Sequence, residues 1–66
     1  MRLDLLRESI DNSGMTMVAL AKKTGILRET LYNRFAGVGE FTVSEAAALS
    51  KALHLTKKER EDIFFS

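Results

Sequence analysis

Four polar residues within one short stretch, Arg28, Glu29, Thr30 and Asn33, offer the most specific chemistry in this chain of 66 residues. Arginine presents a planar fork of donors, asparagine a paired donor and acceptor, ionised glutamate only acceptors, and a threonine hydroxyl both. That is a vocabulary for recognising hydrogen-bonding groups. It is not one for breaking bonds: nucleophile and base arrangements need a Cys or Ser near a His, and the sequence has no Cys and a single His, His54, in a connection between helical patterns. One His without Cys or clustered carboxylates closes no metal site, so no metal is expected. No glycine-rich loop follows a strand pattern, so no nucleotide cofactor is expected, nor any small-molecule substrate.

These residues must be held by something, and the four glycines, at 14, 25, 37 and 39, divide the chain into helical segments. Leu3, Leu6 and Ile10 recur at helical spacing among charged neighbours and end at Asn12-Ser13-Gly14, an amphipathic first helix. Thr16 suits the N-cap of a second, with Leu20 and Ala21 inward and Lys22 and Lys23 in a last turn where the helix dipole favours cations. Gly25 ends it, Ile26 re-enters the core, and Leu31 and Phe35 form the apolar pair of a third. Thr42-Val43-Ser44-Glu45 and Thr56-Lys57-Lys58-Glu59 are capping boxes, with Thr at the cap and Glu three residues on. They open helices whose inner faces carry Ala46, Leu49 and Leu53, then Ile63 and Phe64. The spacing thus predicts an all-α chain of five helices near 2–12, 17–24, 28–35, 43–53 and 57–64, one domain over residues 1–66.

Composition narrows the class. A chain this short buries only about 60% of the surface its unfolded form exposes, which favours local helix-on-helix contacts. The net charge is +1, but unevenly spread: residues 15–39 hold four cations against Glu29 alone, net +3, while the remainder holds six cations and eight anions, net −2. The opening residues, Met1 to Glu8, are too charged for a signal peptide or membrane span. The expectation is a cytoplasmic protein with no membrane partner.

Two short helices joined by a turn at Gly25, with Ala21 small enough for a close crossing, have the proportions of a helix-turn-helix. The run Ser13-Gly14-Met15-Thr16-Met17-Val18-Ala19-Leu20-Ala21-Lys22-Lys23-Thr24-Gly25-Ile26-Leu27-Arg28-Glu29-Thr30-Leu31 resembles the Cro and phage-repressor (lambda-repressor-like) family of five-helix DNA-binding domains. The ending, Leu53 to Phe65, is similar to small prophage-type regulators. The resemblance implies a sequence-specific regulator of transcription that represses by occupying double-stranded DNA, with the third helix as its recognition helix.

It further implies that Arg28, Glu29 and Asn33 read base edges, with Thr30 and Tyr32 nearby, and that Thr16 and Met17 at the start of the second helix meet a phosphate. Thr30 joins the expected base-reading set; Arg34, Gly37 and Tyr32 join the expected phosphate contacts, though Tyr32 could instead pack on Arg28. Arg28 suits the O6 and N7 of guanine, Glu29 the N4 of cytosine and Asn33 the edge of adenine. Each also has a plainer reading: a solvated arginine, a glutamate answering the helix dipole, a surface asparagine. A helical-wheel count sets Glu29 and Asn33 nearly opposite Leu31 and Phe35. Arg34 is expected to lay its stem over core surface and send its guanidinium to solvent or phosphate. The chain departs from the family at Met17 and Leu27, where Gln and Ser or Thr are common, so one phosphate contact and one helix cap are missing.

Ile63, Phe64 and Phe65 cannot all face one side of a helix, because neighbours diverge by about 100°. The expectation is a homodimer on DNA that uses these three; the plainer reading has Ile63 and Phe64 complete the core and leaves Phe65 as an ordinary chain end. The rival reading, which the weak net charge favours, is a protein-interaction module of antitoxin or adaptor kind without specific DNA readout.

Overall fold

In the computed structural model, which describes residues 1–65, five helices follow one another: α1 (Leu3–Ser13), α2 (Met17–Thr24), α3 (Arg28–Phe35), α4 (Val43–Ala52) and α5 (Lys57–Phe64). Each boundary lies within two residues of its predicted position. Local chemistry explains the starts: the Thr16 hydroxyl accepts from Ala19 N–H at 3.1 Å, and both capping boxes close reciprocally. Thr42 Oγ1 and Thr56 Oγ1 each accept the N–H of the glutamate three residues on, at 3.1 Å, and each glutamate accepts the threonine's own N–H at 2.9 Å. Such pairs occupy amides that a helix start otherwise leaves without partners.

The core is one cluster drawn from every helix: Leu6 and Ile10 of α1, Leu20 of α2, Ile26 from the turn, Leu31 of α3, Leu49 and Ala52 of α4, and Ile63 of α5. Helix α2 packs against α3 and α4, while α1 packs against α5. The Arg2 N–H donates to Ile63 O at 2.7 Å, joining the start of α1 to the end of α5. Ser50 is the buried polar residue of α4, and its hydroxyl is satisfied by Ala46 O one turn back, at 2.8 Å. Among the described residues no helix is long and apolar enough to cross a membrane.

Ile63 has 2% of its surface exposed and sits in this core. A side chain with no free surface has none to give a second subunit, so Ile63 is removed from the expected dimer contact. Phe64 is half-buried and Phe65 is 72% exposed, so the divergence along α5 runs through these two.

Candidate nucleic-acid interface

The turn between α2 and α3 is built from its own residues. Gly25 takes φ 75° and donates its N–H to Ala21 O at 2.9 Å, closing α2. The Thr24 hydroxyl donates to Leu20 O at 2.8 Å and accepts from Ile26 N–H at 3.2 Å. This pins the chain as it reverses, and buries Ile26 beside Leu20 and Leu31. Helix α3 is thereby fixed at its start.

Its far end is fixed by contacts that span much more of the chain. The Phe35 and Phe41 rings meet edge to face, 6.0 Å between centroids. Arg7 of α1 lies over the Phe35 ring at 5.6 Å and donates to Phe35 O at 3.3 Å, which sets a cation against the carbonyl end of α3. Sequence reading did not identify Arg7, because its partner stands 28 positions away.

Between these two anchors, α3 turns an open face outward. Leu27, Arg28, Glu29, Tyr32 and Asn33 line one shallow depression and all are exposed. Among the described residues the side chains of Arg28, Glu29 and Asn33 have no internal hydrogen bond or ion pair. Thr30 is half-buried and stands toward the edge of that face. At the head of the helix Leu27 is the N-cap residue and makes no side-chain cap bond. Among the described residues the N–H groups of Arg28, Glu29 and Thr30 therefore have no internal partner, and the positive end of the helix is open at this face.

The residues expected at phosphates divide into two groups. Thr16, Met17 and Tyr32 line a common depression with Arg7, Met15 and Phe35 where the start of α2 meets α3. Met17 is half-buried and packs its thioether side chain against the core, leaving its backbone to offer a contact. Arg34 and Gly37 lie elsewhere, in a second depression with Met1, Leu3, Phe41 and Phe64. Arg34 Nη1 donates to Val38 O at 3.0 Å, so its guanidinium folds over the α3–α4 loop. The Gly37 N–H goes to Arg34 O at 3.1 Å and the Val38 N–H to Asn33 O at 2.8 Å, the paired bonds of a Schellman ending. An amide already donated has no proton left for a phosphate; Gly37 is a helix terminator here, and Arg34 holds the loop.

A model of the helix-turn-helix family matches residues 6–59. The chain belongs to this family. The match runs from α1 into α5 and so takes in the anchors of the helix-turn-helix as well as its two helices. Neither a curated protein nor a solved structure matches the chain. The family is one of DNA-binding regulators of transcription, of Cro and phage-repressor type, and that coarse activity passes to this chain with its fold.

Proposed function

We propose that this protein is a sequence-specific regulator of the phage or prophage repressor kind, one domain over residues 1–66 that acts in the cytoplasm by occupying an operator in double-stranded DNA. The observation that carries the reading is the outward face of α3, where Arg28, Glu29 and Asn33 keep their hydrogen-bonding groups uncommitted between two rigid anchors. In this reading α3 enters the major groove, where each base pair presents a distinct pattern of donors and acceptors. Arg28, Glu29 and Asn33 meet base edges, with Thr30 at the rim. Thr16, the Met17 amide and Tyr32 meet the adjoining phosphates, and Arg7 joins them.

Two copies bind in this proposal, through Phe64 and Phe65. Phe65 is 72% exposed beside Val43, itself 84% exposed, and the two share an apolar depression with Met1, Phe41 and Phe64. A second copy would cover that surface and set two recognition helices on half-sites about 34–36 Å apart. The same apolar surface is what favours the rival protein-interaction module.

Selection of random duplexes by the purified protein tests the reading. Enrichment of one motif, as two half-sites, supports a dimeric regulator. If no motif is enriched, specific DNA readout is lost and the protein-interaction reading stands. Sedimentation of the protein and its Phe65→Ala variant, with and without duplex, tests the dimer. One copy per duplex, at full affinity in the variant, removes it.

A further inference from the structure

Leu27 is 74% exposed, although it stands between two buried residues, Ile26 and Leu31. By helical spacing Leu27 and Leu31 would share the inner face. The backbone at Leu27 is extended rather than helical, with φ −59° and ψ 138°, and this turns its side chain out of the core. Two costs meet at this position: an aliphatic group stands in water, and the helix goes without the side-chain cap that Thr16, Thr42 and Thr56 give α2, α4 and α5. Glu29 in the first turn answers the dipole of α3, but among the described residues nothing covers the Leu27 side chain.

We propose that Leu27 reads the C5-methyl group of a thymine. The inference deepens the DNA reading above and rests on it. In the major groove a thymine is distinguished by an apolar methyl, which an aliphatic side chain contacts, whereas cytosine presents an N4–H donor. Leu27 shares its depression with Arg28, Glu29, Tyr32 and Asn33, residues that offer hydrogen bonds. A single aliphatic group framed by polar ones matches one methyl group framed by base-edge donors and acceptors. The apolar surface around Phe65 and Val43 is of a different kind, several apolar side chains side by side.

The thymine contact also gives direction to the missing cap. With no side-chain oxygen at Leu27, the open N–H groups of α3 remain available to acceptors in the groove. Cytosine at the same place carries only a hydrogen at C5, so Leu27 would find no methyl group to cover. The position therefore discriminates between the two pyrimidines by the burial of that methyl group.

The experiment uses the duplex enriched by selection, remade with deoxyuridine at each thymine in turn, so that only a methyl group is removed. Affinities are measured for the native protein and for Leu27→Ala and Leu27→Ser. Burial of one methyl predicts that a single uracil in one half-site weakens native binding about fourfold, and that both variants bind thymine and uracil duplexes alike at that position. Circular dichroism and urea unfolding check that both variants fold; Leu27→Ser, which restores a cap, is at least as stable as the native chain. Uracil tolerated everywhere by the native protein overturns the thymine assignment and leaves DNA readout standing, as does a uracil penalty unchanged in both variants. If selection enriches no duplex, the DNA reading falls and takes the thymine assignment with it.

Discussion

Replacing Gly39 by alanine separates the two tasks open to Arg34. Gly39 has φ +75°, and a Cβ built there would stand 2.5 Å from Arg34 Nη1 and 3.0 Å from its Cζ. The left-handed backbone costs a residue with a Cβ about 1–2 kcal/mol, of which about 0.4–1 kcal/mol is returned by the stiffer unfolded chain. That leaves about 1 kcal/mol, the whole effect expected of Gly25→Ala, where nothing lies within 4 Å. At Gly39 the guanidinium is the far end of a flexible side chain and yields to the methyl group, forfeiting its bond to Val38 O, about 1 kcal/mol more. Gly39→Ala is therefore expected to cost about 2 kcal/mol and Gly25→Ala about 1. With a urea slope of about 1 kcal/mol per molar, the midpoints fall by about 2 M and 1 M. In an Arg34→Ala background the extra loss at Gly39 disappears, a coupling of about 1 kcal/mol. A coupling of zero would refute the assignment of Arg34 to the loop. So would an Arg34→Ala variant whose DNA affinity becomes less sensitive to salt, since that marks a phosphate contact.

Other outcomes follow from the same geometry. Arg28→Ala should lower affinity for the preferred duplex by about 1–3 kcal/mol and relax choice at one base position with unfolding unchanged; equal affinities for preferred and scrambled duplex, both unaltered by the substitution, would count against base reading. Binding should release about 3–6 counterions per monomer, and Arg7→Ala should reduce the salt slope by about one, as measured by fluorescence anisotropy across salt concentrations. His54 ends α4 at φ 53° with its N–H on Lys51 O, so His54→Gly should stabilise the fold by about 0.5–1 kcal/mol in urea. The Glu59 carboxyl is held below its ordinary 4.5 by hydrogen bonds from Thr56, first its backbone N–H. A lowered folded pKa stabilises above the unfolded value, so that contribution is present above pH 4.5 and is lost as pH falls through the folded pKa. Thermal unfolding of native protein and Glu59→Gln should therefore converge in acid below that point. Asp4, held at about 2 by its bond from Arg2, loses its share lower still, in both proteins alike.

What the sequence made legible was what depends on neighbours in the chain. The Thr42/Glu45 and Thr56/Glu59 boxes need only a three-residue spacing, and they set two helix starts without reference to the rest of the fold. The outward face of α3 was legible because Leu31 and Phe35 fix its inner side. Arg7 was not, since its place over Phe35 depends on how α1 crosses α3. Arg34, in the last turn of α3, and Gly37, just after it, were expected at phosphate; the path of residues 36–40 turns both into the loop. Leu27 and Ile63 show the same limit at single positions. Leu27 was legible as a position without a cap, but not the outward turn that the N-cap backbone gives its side chain. Ile63 was read both as an inner-face residue and as a dimer contact, and only the packing of α5 on α1 decides between the two.

The 2.7 Å bond from Arg2 to Ile63 has a practical meaning. Any extension before Met1 or after Phe65 leaves the domain from one small area, next to the apolar depression that holds Met1, Phe64 and Phe65. An affinity tag is then not neutral at either end, and moving it from one end to the other is no control for self-association. The adjacency also makes the chain a candidate for circular permutation. A short bridge from residue 65 to residue 1, with new ends cut at the exposed Val38-Gly39-Glu40 stretch, would keep all five helices in place while freeing that apolar area of any appended chain.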